Sequence, residues 1–290
     1  MYKPYVTLIG TAVILAGLAL VGFARQDGAE ARTKPNPGKF SVSCEKRWEG
    51  NRDPIVSPGQ PSAHKHVGAG GPIRYDSDRE SLVASRSTTC TVGGDRSGYW
   101  VPTAGIRGVE IDPREINAYY GAAPGVDPQR VSLPPVGWEV LAGRADADGP
   151  QNAVRFGCAR NARGGSSSPV PVDCRPGDIP TMHFTFPSCS SGARTSEDHY
   201  SHAGYVDEAG NCPPGMRHVL QLTMAVRYPY TPNFSELRLS SDHGDHGNAL
   251  SAHADWLDGW VRKDMQRLTQ RCVKRGPGCG LQMSVDMAKK

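Results

Sequence analysis

Val219-Leu220-Gln221-Leu222-Thr223-Met224-Ala225-Val226-Arg227-Tyr228 decides the class of this chain. Apolar residues run along the whole segment and no helix cap frames it, so it is predicted as a strand. Upstream, residues 181–186 alternate polar and apolar character, which puts His183 on one face with Thr181 and Thr185. Shorter β-like runs stand at Lys39–Cys44 and at residues 108–111, 138–141 and 153–158. Between them lie the punctuations Asp53-Pro54, Ser57-Pro58-Gly59, 121–128 and 161–171, and no internal repeat is visible. One helix is predicted from Ala254 onward, where Leu257, Val261, Met265, Leu268 and Cys272 form a stripe at helical period. Trp256 and Trp260 widen that stripe, and Gly276-Pro277 ends it. The helix would place His253 and Asp255 at its N-terminus, where free N–H groups keep an imidazole neutral. The expected fold is mainly β (α+β): a loop-rich, disulfide-stapled antiparallel β-sandwich or jelly-roll-like domain with a C-terminal helix.

Composition agrees with a stapled, loop-rich domain. The 290 residues include 34 glycines and 24 prolines, and only 38% are hydrophobic. Residues 5–24 form an apolar run with Lys3 before it and Arg25, Arg32 and Lys34 after it. Residues 1–31 therefore read as a signal peptide, cut after Ala24 or Ala31, or as an uncleaved signal anchor of about 20 residues. Residues 32–37 follow as a linker, 38–280 as a single exported domain, and 281–290 as a tail. All eight cysteines, Cys44, Cys90, Cys158, Cys174, Cys189, Cys212, Cys272 and Cys279, lie beyond the leader. An even count in an exported chain predicts four disulfides, and pairing of sequence neighbours is the simplest of many connectivities. No Cys-x-x-Cys favours thiolate metal binding. The net charge of +4 is scattered, so nucleic acid is not an expected partner, although an anionic polysaccharide would suit the arginines. Membrane contact is expected only through the N-terminal segment.

Chemistry concentrates in the histidines. His64 and His66 are two apart, and on an extended segment both rings share a face, a common way to place two imidazoles on one metal. Asp198 and His202 are four apart, so on a helical turn the carboxylate could orient the ring, with Tyr205 a nearby proton donor. The passage 240–258 carries His243, His246 and His253 with Asp242, Asp245, Asp255 and Asp258. It lacks the zincin order, and its glycine-bearing part reads as a loop. His183 and His218 fall in or beside strands and read as core or surface residues. No nucleophile elbow, phosphate loop or dinucleotide fingerprint occurs.

Several blocks together resemble a family. They are Asp53-Pro54-Ile55-Val56-x-Pro58-Gly59-x-x-Ser62-x-His64-x-His66, Tyr99-Trp100-x-Pro102, Tyr119-Tyr120 and Phe186-Pro187-Ser188-Cys189. Asp198-His199-x-Ser201-His202-x-x-Tyr205, Cys212-Pro213 and His253-x-Asp255-x-x-x-Gly259-Trp260 follow in the same order. The set resembles the domain of unknown function nineteen-ninety-six. The resemblance implies an exported protein of a kind found in fungi and actinobacteria, sometimes joined to carbohydrate-binding modules. It selects His64, His66, His202, His253 and Asp255 as the recurring polar residues. Met216 departs from the pattern, standing where members carry a histidine.

Three functions are expected in order. The first is an enzyme cleaving extracellular or cell-wall polysaccharide by hydrolysis or elimination, with His202, His253, Asp255, Asp198 and Tyr205 as its acid–base set. The second is a zinc or copper protein, with His64, His66 and His253 as ligands and Asp255 or His202 completing them. The third is a non-catalytic glycan-binding module using Trp100, Trp138, Trp256 and Trp260.

Overall fold

The deciding stretch forms the middle of a sheet. The computed structural model describes residues 38–159, 167–243, 248–276 and 278–280. The leader, the linker, the tail, residues 161–166, Asp245, His246 and Pro277 lie outside the described residues. Ten strands build two large antiparallel sheets: β1 (Lys39–Cys44), β2 (Lys46–Gly50), β3 (His66–Gly70), β4 (Gly98–Pro102), β5 (Glu115–Gly121), β6 (Glu139–Gly143), β7 (Val154–Ala159), β8 (Ile179–Thr185), β9 (Gln221–Arg227) and β10 (His253–Leu257). The first sheet runs β1-β5-β9-β8-β7 and the second β2-β3-β4-β10-β6.

The two sheets face each other across one core. Val42, Ala118, Tyr120, Met224 and Phe184 from the first meet Val67, Tyr99, Val101, Val140, Ala254 and Trp256 from the second. The Tyr120 and Trp256 rings lie 5.8 Å apart in an edge contact, and Trp260 donates its indole N–H to the Tyr120 hydroxyl at 3.2 Å. Burial of each such aromatic contributes about 1.5–3 kcal/mol. Strand alternation sends the intervening residues of the second sheet to its other face. There Trp48, Trp100, Leu141 and Leu257 form a smaller core, covered by Ile55, Ile73, Leu82 and Tyr200. Leu82 belongs to α1 (Arg79–Ser85), which Asp78 caps by accepting the Ser81 N–H.

Four disulfides close the fold: Cys44–Cys90, Cys158–Cys174, Cys189–Cys212 and Cys272–Cys279. Each joins sequence neighbours, as expected, and a chain so stapled belongs to an oxidising compartment. No helix among the described residues is long and apolar enough to cross a membrane.

The helix is shorter than its predicted stripe. Residues 253–257 are strand β10, and α2 spans only Arg262–Leu268 before a π-helical turn at Thr269–Lys274. The cause lies in the turn between them. Asp258 accepts the Trp260 N–H and the Gly137 N–H with its two oxygens, which ends the strand. Gly259 then passes so close to Arg96 that a Cβ would lie 2.5 Å from its carbonyl oxygen. His253 and Asp255 therefore owe their environment to a central strand and not to a helix N-terminus.

Candidate metal centre

The outer face of the second sheet collects three imidazoles. His66 opens β3 opposite Pro102 of β4, and Asp255 of β10 pairs with Trp100 of the same strand. Continuing that register sets His253 beside Pro102, so His66 and His253 flank one proline on one face. The chain before β3 brings His64 over them. Its backbone is held at Lys65, whose carbonyl accepts the Thr103 N–H at 2.9 Å and the Ser240 hydroxyl at 2.5 Å. The ring centroids of His64 lie 4.4 Å from His66 and 5.0 Å from His253. One nitrogen of each ring lies within 4.8 Å of the other two.

The tautomers can be read from the hydrogen bonds. His253 donates Nδ1–H to the Ser251 carbonyl at 2.8 Å, which leaves Nε2 as a lone pair. That lone pair faces His64 Nε2 at 3.2 Å. His66 Nδ1 faces the Ser62 hydroxyl at 3.4 Å, and its Nε2 is buried without a partner. Two nitrogens on one tetrahedral zinc stand about 3.3 Å apart, given bonds of about 2.0–2.1 Å. The His64–His253 separation already has that value. A backbone carbonyl on the far nitrogen is the usual device for aiming a metal-binding imidazole.

Electrostatics keep these rings neutral, the form that coordinates. Burial pulls His253 down to about 4, helped by His64 and opposed by the Ser251 carbonyl. Burial also pulls His66 well below its ordinary value, with His253 and His64 adding to the effect and the Arg52 backbone opposing it. His64 is lowered by burial and then by His243.

Asp255 lies beside the triad and outside its shell. It is fully buried, and neither carboxylate oxygen has a partner. Burial raises it well above the ordinary carboxylate range, and Asp53 adds to this. Asp53 is itself buried, with one oxygen accepting the Ile55 and Val56 N–H groups at 3.1 Å. The indole N–H groups of Trp48 and Trp100 on this face are also buried without partners. Trp48 reaches its place because Gly68 has no side chain: a Cβ there would lie 2.3 Å from the indole. Asp53, Ser62 and Ser251 thus support the centre. The first two belong to the block ending in His66, while nothing in the sequence marks Ser251.

The rest of the expected acid–base set stands elsewhere. His202 donates Nε2–H to the Glu139 carbonyl at 2.7 Å, and its Nδ1 contacts the Ser196 hydroxyl at 2.8 Å. Asp198 does not touch it directly. The Ser196 hydroxyl stands between them, 2.6 Å from Asp198, which also accepts the Tyr200 and Ser201 N–H groups and so caps a turn. Tyr205 donates its hydroxyl to the Thr185 carbonyl at 2.9 Å. Trp100, Trp138, Trp256 and Trp260 are each at most 1% exposed, so none offers a ring to a sugar. His183 and His218 lie outside the triad, and His218 is tied to the Gly210 carbonyl at 2.8 Å. His243 is exposed.

A cavity of about 310 Å3 adjoins the centre, bounded by Leu141, Gly143, His199, Tyr200 and Tyr205 among others. Leu141 and Gly143 pair directly with Asp255 and His253. No curated protein and no solved structure matches this chain. One family does match, over residues 53–260, a span that begins at Asp53 and includes all three clustered histidines and Asp255. The chain belongs to the family described as domain of unknown function (DUF1996).

Proposed function

We propose that this protein is an exported metalloprotein whose His64, His66 and His253 hold a divalent transition ion, zinc or copper. The observation that carries the reading is the convergence of three neutral imidazoles, two with Nε2 atoms 3.2 Å apart and one with Nε2 buried and unpartnered. Without an ion, His64 Nε2 and His253 Nε2 share one hydrogen bond at 3.2 Å, and the buried His66 Nε2 forgoes its own, at about 1–3 kcal/mol. Three histidines with a coordination position left over are the donor set of catalytic rather than structural zinc. An ion there would supply Lewis acidity toward a water or a substrate oxygen. Copper binds such nitrogens more tightly than zinc, so the occupant depends on supply in the exported compartment.

Polysaccharide cleavage by protein acid and base alone has less support. His202 has both nitrogens engaged, and Tyr205 is committed to a backbone carbonyl. Asp255 is too enclosed to touch a polymer. The export expected from the leader agrees with the disulfides, whether the leader is removed or kept as an anchor.

The test is elemental analysis of full-length protein purified without a histidine tag, with thermal shifts on adding zinc or copper to chelator-treated material. One ion per chain and a raised Tm are expected for the wild type, and neither for His64→Ala or His253→Ala. Absence of bound metal together with no shift for either ion would reject the reading.

A further inference from the structure

We propose that the cavity beside the metal centre is a binding subsite for one neutral, hydroxyl-rich ring of a carbohydrate. Its volume of about 310 Å3 sits at the lower end of small-molecule sites, roughly 300–1,000 Å3, and so suits a ring and not a chain segment. The character of the ligand follows from what its walls can satisfy.

A charged ligand finds no free counter-charge there. Arg144 is the one lysine, arginine or carboxylate side chain in the lining. Its Nε and Nη2 already donate to Asp146 at 2.9 and 3.0 Å, and its guanidinium lies 4.8 Å over the Tyr200 ring. A purely apolar ligand is also a poor match. The Asn152 side chain and the Tyr200 hydroxyl make no hydrogen bond among the described residues. An apolar ring would leave these groups unpaired. Against them stand the apolar surfaces of Leu141, Ala153 and Pro187. Tyr205 adds a platform: its hydroxyl is anchored to Thr185, while 42% of the residue is exposed. A pyranose offers both surfaces, a C–H face for the platform and hydroxyl edges for the amide and phenol.

The backbone is arranged for this use. His199 holds a left-handed conformation at φ 60°, uncommon for a residue with a side chain, and its N–H is fixed to the Ser196 carbonyl at 2.9 Å. The floor residues Leu141 and Gly143 pair with Asp255 and His253, and neighbouring strands lie about 4.8 Å apart. A ring in the cavity is therefore one strand from the histidine centre. Ring binding stands without the ion, and only chemistry on the bound ring rests on the metal reading.

The experiment titrates full-length protein with cellohexaose and chitohexaose, with hexagalacturonate and the apolar dye ANS as controls, by calorimetry. Binding of a neutral oligomer is expected, weakened about tenfold or more in Tyr205→Ala and kept in Tyr205→Phe, which preserves the platform. If Tyr205→Ala fails to fold by near-ultraviolet circular dichroism, Asn152→Ala carries the same expectation. Binding should persist in chelator-treated wild-type protein, which separates this subsite from the metal reading. Failure of both neutral oligomers to bind, binding of the uronate or dye in their place, or unchanged affinity in the folded cavity variants would overturn the proposal.

Discussion

His202 and His253 are both buried, at 3% and 2% exposure, and each donates one ring N–H to a backbone carbonyl. They differ at the second nitrogen. In His202 it meets the Ser196 hydroxyl, which links onward to Asp198. In His253 it meets another imidazole nitrogen, with a third ring beside it. The turn at 196–202 satisfies its own histidine, whereas the strand end at β10 leaves a lone pair pointed at two others. A histidine beside an aspartate is thus the more conspicuous in sequence and the less available in the fold.

The comparison breaks most sharply on metal affinity. His253→Ala is expected to abolish stoichiometric zinc or copper binding in equilibrium dialysis. His202→Ala should keep it and lose about 1–3 kcal/mol of folding stability in urea, through its severed hydrogen bonds. Equal metal loss in the two variants would erase the distinction.

Acid should act on both histidines in the same direction, since burial lowers His202 as well as His253. The neutral form of His253 is favoured in the folded state, at about 4, over an unfolded value of 6.5. Between these pH values the unfolded chain binds the extra proton, so stability falls as pH drops from about 6.5 toward about 4. The full effect is about 3 kcal/mol. Denaturant titrations of metal-free protein should show this slope, and His253→Gln should make it shallower, with the part due to His66 and His64 remaining. Asp255 acts in the opposite sense. Its raised folded value means the folded state holds the proton, a contribution present at low pH and lost as pH rises through that value.

The packing that supports the site gives a smaller expected effect. Gly68→Ala should cost about 1–3 kcal/mol, because its methyl would collide with Trp48. Smallest is Asp255→Asn, which replaces a buried carboxyl by a neutral group of the same shape. Below about pH 4, where the carboxyl is protonated folded or unfolded, its stability should match the wild type within about 1 kcal/mol, and as pH rises it should escape the decline that the wild type shows. A large loss at neutral pH would mean that the carboxylate charge is needed.

Much of the first sheet was legible in the sequence. Residues 219–228 and 181–186 became the adjacent strands β9 and β8, and residues 153–158 became β7. The second sheet was mostly illegible. Gly68 and Gly70 interrupt the apolar signal of β3, since they make room for Trp48 and for the Ser97 carbonyl. All five residues of β10 are buried, so the strand shows no alternation, and the chance spacing of Leu257 and Val261 extended the helix signal backward. The two-residue step from His64 to His66 did disclose half the site. The satisfaction of His202 could not be seen, because its partner is a backbone carbonyl 63 positions away.

The central claim is that three imidazoles share one ion. Crystals of the full chain soaked in zinc, measured on both sides of the zinc absorption edge, test it most directly. One strong anomalous peak is expected about 2.0–2.1 Å from Nε2 of His64, His66 and His253. A map with no peak there, or with zinc only at exposed carboxylates such as Glu110 and Asp112, would contradict it.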